Sequence, residues 1–126
     1  MSKVSYTVVL VGHCGPDSWA LKSAVGSAIP GAKIESANRQ RELEEVVARA
    51  DLLLVNRQLD GAFDVDTGAE LIRAVRASQG PKAMLISNYP EAQAEAEAAG
   101  ALPGFGKTEM YAAETKRRLR AALGLK

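Results

Sequence analysis

The stretch DLLLVNRQLD, residues 51–60, decides how the rest of the chain is read. Four apolar residues in succession, Leu52 to Val55, enclosed by polar ones, predict a strand buried on both faces, as in the middle of a parallel sheet rather than at a half-solvated antiparallel edge. Open α/β sheets place their ligand or chemical site beyond the C-terminal ends of such strands. The residue that ends this one is Asn56, so an amide stands where the chemistry of the fold is expected.

Before this strand, residues 6–11 (YTVVLV) form a second all-apolar run, broken by Gly12-His13-Cys14-Gly15-Pro16. Pro16 suits a first helical position, and Asp17 and Ser18 complement the positive end of the helix dipole. Leu21, Val25, Ala28 and Ile29 give that helix a core stripe, with Trp19 on roughly the opposite side. Residues 32–37 mix Ile34 with Lys33 and Glu35, as an edge strand does. The next helix, residues 39–50, places Leu43, Val46, Val47 and Ala50 on one face.

After the central strand come a polar loop, residues 57–67, and a helix over 68–78 whose core face is Leu71, Ile72 and Val75. Residues 82–87 (KAMLIS) are a fourth apolar strand. Residues 91–99 (EAQAEAEAA) favour helix but have only alanines to bury, which predicts a thinly packed, mobile element. Residues 100–108 contain a fifth strand made irregular by Pro103, Gly104 and Gly106, and a helix over 111–125 turns Leu119, Ala122 and Leu123 inward. The alternation predicts one doubly wound α/β domain over residues 1–126, with helices on both faces of a parallel sheet.

At 126 residues the chain can bury a core without a metal or disulfide, and its net charge of +1 gives no general attraction for nucleic acid or anionic lipid. A single cysteine, Cys14, excludes an internal disulfide. Residues 1–6 are too polar for a signal peptide, and no run approaches the roughly 20 apolar residues of a spanning helix. A cytoplasmic location without membrane attachment is expected.

The whole chain resembles the receiver domain of two-component response regulators, the CheY-like, flavodoxin-like (βα)5 fold with strand order 2-1-3-4-5. The residues that carry the resemblance are Asp66-Thr67-Gly68-Ala69-Glu70-Leu71-Ile72-Arg73-Ala74-Val75-Arg76, one residue longer around the Gly but otherwise close to the family's D-G-x-E-L-L-R-x-I-R; Ser87, ending the fourth strand; and Gly100-Ala101 followed by Lys107 at the family spacing. The departures are as specific. The phosphoacceptor position is Asn56, a poor nucleophile that cannot form an acyl phosphate. The acidic pair that helps hold Mg²⁺ falls on Gly12 and His13, a donor set unsuited to a hard cation. The switch aromatic falls on Gly104, with Phe105 beside it as a partial substitute. The Pro after Lys107 is Thr108, and Asn88 is bulkier than the residue usual at that place.

Only Ser87 and Lys107 remain of the phosphorylation quintet. The resemblance therefore implies a pseudo-receiver, a scaffold without aspartyl phosphorylation that binds protein partners through the fourth helix, fifth strand and fifth helix. Lys107 then donates to Asn56 Oδ1 or Ser87 and satisfies a polar pocket. His13-Cys14 would need carboxylates or a second chain to hold zinc, and Cys14 reads as an inert thiol unless its place near a helix N-terminus activates it. The segment Gly104–Thr108 fails as a phosphate-binding loop because its first Gly is replaced by Ala101. Asp60, Asp64, Asp66 and Glu70 do not match a Ca²⁺ loop.

Charge divides between Glu91, Glu95 and Glu97 on one helix and Lys116, Arg117, Arg118 and Arg120 on the last, a split that would pair two copies acidic to basic. Four basic residues on one helix, without aromatic or recognition motifs, do not predict nucleic-acid binding. Trp19, Phe105, Lys116, Arg117 and Arg120 are the candidate partner contacts, Trp19 because tryptophan is enriched in binding hot spots. The expected function is a non-enzymatic protein-interaction module that needs no metal or cofactor. The competing expectation is a small-molecule site in the crevice over Gly12, Gly15, Asn56 and Ser87; a third is a receiver phosphorylated on another residue.

Overall fold

The computed structural model describes residues 5–125; most of the segment read against a signal peptide, residues 1–6, and the last residue of the 1–126 domain lie outside them. Five parallel strands, β1 (Thr7–Val11), β2 (Lys33–Ala37), β3 (Leu52–Asn56), β4 (Lys82–Ile86) and β5 (Leu102–Phe105), lie in the order β2-β1-β3-β4-β5. Helices α1 (Gly15–Ala28), α2 (Gln40–Val46), α3 (Gly68–Ala77), α4 (Pro90–Ala98) and α5 (Ala113–Ala122) connect and follow them. This is the expected (βα)5 receiver-like, flavodoxin-like architecture.

The all-apolar runs are explained by burial on both faces. Alternate residues of β1, β3 and β4 (Val8, Leu10, Leu52, Leu54, Met84, Ile86) join Leu21 and Val25 of α1 and Leu119 of α5 in one core layer. Their neighbours (Val9, Val11, Leu53, Val55, Leu85) join Leu43, Leu71, Ile72 and Ala96 of α2, α3 and α4 in the other. Because side chains alternate faces along a strand, both layers need every position of the central strands apolar. β2, with its mixed sequence, lies at the sheet edge as expected.

Two helices differ from the expected bounds. α2 ends at Val46, about one turn early, where Arg49 folds back to donate to Glu45 O at 3.0 Å and reaches Glu35 on β2 at 2.6 Å. A short 3₁₀ turn, Lys107–Glu109, precedes α5, and Tyr111 lies between them; Thr115 Oγ1 donates to Glu109 O at 2.6 Å and fixes that break. β5 pairs with β4 through a register shift, as Pro103 and Gly104 suggested. α4 buries only Ala96 within its own span, with Ala99 just beyond it.

Candidate functional site

β1, β3 and β4 deliver Gly12-His13, Asn56 and Ser87 to the C-terminal rim of the sheet, and Lys107 follows β5. Asn56 is committed in three directions. Its Nδ2 donates to Gly12 O at 2.9 Å and to Gln58 O at 2.8 Å, and its Oδ1 accepts from Arg57 N at 3.0 Å. Two carbonyls facing one end of the side chain and an N–H facing the other require an amide. An aspartate would set a carboxylate oxygen against two carbonyl oxygens, with no proton between them at neutral pH.

Gly12 and His13, where the resemblance sets an acidic pair, have structural roles in this chain. Gly12 adopts φ +73°, which favours glycine, and a Cβ there would meet Leu59 Cδ2 at 2.8 Å. His13 is buried, and its Nε2 lies 2.8 Å from Leu54 O, to which it donates. Burial pushes its pKa down from 6.5 to about 4, against the opposing effect of the Leu54 carbonyl, with Lys107 lowering it further. The ring is therefore neutral at pH 7 and leaves Nδ1 without a hydrogen bond. Cys14 is half-buried at the N-cap of α1, and among the described residues no three His, Cys, Asp or Glu side chains gather as a metal site.

Lys107 does not reach Asn56 or Ser87. Its Nζ pairs with Asp17 Oδ2 at 2.8 Å, holding that carboxyl below its ordinary pKa and tying the segment after β5 to the first turn of α1. The expectation missed this because the partner is 90 residues away and Asp17 already had a local reading as a dipole complement. Ser87 is buried, and its Oγ accepts from Tyr89 N at 3.1 Å. Asn88 Oδ1 accepts from Thr108 N and Oγ1 at 3.3 and 3.2 Å, joining the segments after β4 and β5.

The long loop after β3 lies over the rim at β1 and β2. Asp60 N donates to Gly12 O, Ala62 N donates to Asn38 O, and Gln40 N donates to Ala62 O. Asn38 Nδ2 adds bonds to His13 O at 3.0 Å and Asp60 O at 2.9 Å, so one amide joins three loops. Neither Asn38 nor Leu59 was singled out in the sequence. Thr67 at the N-cap of α3, with its Oγ1 accepting from Glu70 N, ends the loop; the T-x-x-E capping signal was legible there.

Leu59 lies on Gly12, so the crevice expected over Gly12, Gly15, Asn56 and Ser87 is filled above Gly12, while the space beside Gly15 is open. What remains is a cleft of about 310 Å³ lined by Asn56, Arg57, Ser87, Asn88, Tyr89 and Lys107.

The candidate partner contacts divide. Trp19 is 75% exposed, and Lys116 and Arg117 are exposed, Arg117 pairing with Glu114 at 2.7 Å. Phe105 must be withdrawn as a surface contact: it is only 3% exposed, because its side chain enters the core layer under α1 and α5. Arg120 is half-buried and donates to Ala28 O at 3.0 Å, joining α5 to the end of α1. At the switch position, a Cβ on Gly104 would lie 2.1 Å from Leu85 O, so no aromatic fits there. Arg118 donates to Gly104 O, and Gln93 Nε2 reaches Leu85 O and Ser87 O at 2.9 and 3.1 Å.

No family model matches the chain, and no curated protein matches it in sequence. Solved structures do. The non-phosphorylated receiver domain of the stress response regulator RcsB from Escherichia coli aligns with a TM-score of 0.73 at 12% identity, covering 97% of this chain and 96% of that one. The chemotaxis response regulator CheY4 of Vibrio cholerae aligns at 0.62 and 20% identity, covering 96% and 98%. The signal receiver domain of the candidate response regulator NarL from Mycobacterium tuberculosis aligns at 0.61 and 25% identity, covering 94% and 98%. The receiver fold, over nearly the whole chain, is what these likenesses share.

Proposed function

We propose that this receiver-fold chain is a signalling module that binds a protein partner without being phosphorylated on the β3 tip. The observation that carries the reading is the fixed amide of Asn56, donating to Gly12 O and Gln58 O where a phosphoacceptor would need a free carboxylate. A neutral His13 and a Lys107 paired with Asp17 support it, since neither Mg²⁺ nor a phosphoryl group finds its usual ligands.

The partner surface is the α4–β5–α5 face. Acidic Glu91, Glu95 and Glu97 on α4 and basic Lys116 and Arg117 on α5 are exposed on either side of β5. Such a face suits a protein of mixed charge, or a second copy meeting it acidic helix to basic helix. No catalysis is assigned.

The test is incubation with a small phosphodonor and Mg²⁺, followed by intact-mass measurement. The parent chain gains no phosphoryl group, and Asn56→Asp gains none to a substantial level, because the acidic pair is still missing. Robust labelling of either chain overturns the reading. For the partner face, a charge reversal at Lys116 and Arg117 together reduces capture of the partner by at least tenfold, while Arg73→Glu on α3 leaves it unchanged.

A further inference from the structure

Two exposed features lie on opposite faces of the sheet. On α1, Trp19, the chain's single tryptophan, is 75% exposed. Lys22, three residues on, is exposed on the same side of the helix, followed by exposed Ser23, Gly26 and Ser27. Gly26 has no internal reason to be glycine: a Cβ there would meet nothing within 4 Å, and glycine is the poorest helix former after proline. The face is one bulky knob and a cation on an otherwise flat surface.

Across the sheet, α2 and α3 leave a groove of about 640 Å³ between them. Leu43, Val47, Val65, Leu71 and Val75 give it an apolar floor, and among the described residues the charged side chains lining it are the carboxylates Glu44 and Asp64. The loop that covers the rim also builds this groove. Asp64 N donates to Gln40 Oε1 at 3.2 Å, which sets Asp64 and Val65 against α2. The volume lies in the range of sites that enclose a bulky apolar group, and the charge is of one sign.

We infer that the chain associates head to tail, Trp19 and Lys22 of one copy entering the α2–α3 groove of the next. The occupant is a second copy because the chain itself supplies both halves, an apolar knob beside a cation and an apolar groove rimmed by carboxylates. α1 packs on one face of the sheet and α2 and α3 on the other, so the two halves of one molecule cannot meet. The contact is heterologous and leaves a free knob and a free groove at the ends of an assembly unless a ring closes.

The lone tryptophan makes the test direct. On concentrating the chain, Trp19 emission shifts to the blue while sedimentation velocity records growing species, and added salt reverses both by screening Lys22 from Glu44 and Asp64. Trp19→Ala removes the knob, and Ala74→Arg, at an exposed groove position, blocks the groove; each weakens association by roughly thirtyfold or more, as for a hot-spot residue. Circular dichroism checks that both variants are folded. Mixing them restores one intact contact and gives a one-to-one dimer that grows no further. A chain that stays monomeric with unshifted emission at every concentration overturns the inference. So does a mixture of the two variants that forms no dimer, or association abolished by Arg117→Glu but not by Trp19→Ala, which would assign self-association to the α4–β5–α5 face.

Discussion

The two halves of the sheet's C-terminal rim are closed by different means. Over β1, β2 and β3, the long loop after β3 is held by backbone bonds from Asp60, Ala62 and Gln40 and by the amides of Asn38 and Asn56. Over β4 and β5, the work falls to side chains: Gln93 reaching Leu85 O and Ser87 O, and Asn88 meeting Thr108. The first half is tied to the central strands and their full core; the second holds down a helix whose own span buries a single alanine. The half over β1, β2 and β3 is latched by loop-to-loop hydrogen bonds, while on the α4 side a few side-chain amides span the gap to β4 and β5.

The strongest way to break the latched half is at the root of α3. A Cβ on Gly68 would lie 2.2 Å from Asn56 O and 2.8 Å from Leu85 Cδ1, so Gly68→Ala must push α3 off β3. A loss of about 3 kcal/mol in denaturant unfolding is expected; a loss under about 0.5 kcal/mol would show that the approach of α3 to β3 is not fixed.

Acid is the next perturbation. His13 is neutral in the folded chain down to about pH 4 but titrates at 6.5 when unfolded. Below 6.5 the unfolded state binds the extra proton, so this contribution is complete above about pH 6.5 and is lost as pH falls from there to about 4. The full loss is on the order of 3 kcal/mol, measured as the difference in pH dependence between the parent and His13→Gln. An imidazole that titrates near 6.5 in the folded chain by NMR would remove the effect.

Smaller changes sharpen the comparison. Asn38→Ala takes away the bonds to His13 O and Asp60 O and should cost about 2 kcal/mol, with faster amide exchange at Asp60 and Ala62. Gln93→Ala should cost only about 1 kcal/mol and speed exchange in α4 while leaving β1 and β3 protected. If Gln93→Ala exposed the central strands as well, the two halves would be one cooperative unit.

Much of this fold was legible because burial on both faces leaves a plain mark: runs such as Leu52 to Val55 admit no polar residue. The edge character of β2, the irregularity of β5 and the thin core of α4 were readable in the same way, from Lys33 and Glu35, from Pro103 and Gly104, and from the alanines of residues 91–99. The identities of Gly12, His13, Asn56 and Gly104 were readable position by position. Their consequences were not. Lys107 with Asp17, Asn38 across three loops and Leu59 on Gly12 are contacts between segments distant in sequence, and no periodicity announces them. The burial of Phe105 was hidden for a related reason: a lone aromatic after a Gly looks exposed until the neighbouring element is in place.

The Asn56 amide is a structural donor, and the most direct measurement of that role is thermal unfolding of Asn56→Asp with and without Mg²⁺. The substituted carboxylate loses two donated bonds and faces the carbonyls of Gly12 and Gln58, so a loss of about 2–3 kcal/mol is expected, and Mg²⁺ should restore none of it because His13 is neutral and Asp17 is paired. An Asn56→Asp variant as stable as its parent, or one whose melting temperature rises by several degrees with millimolar Mg²⁺, would contradict the account.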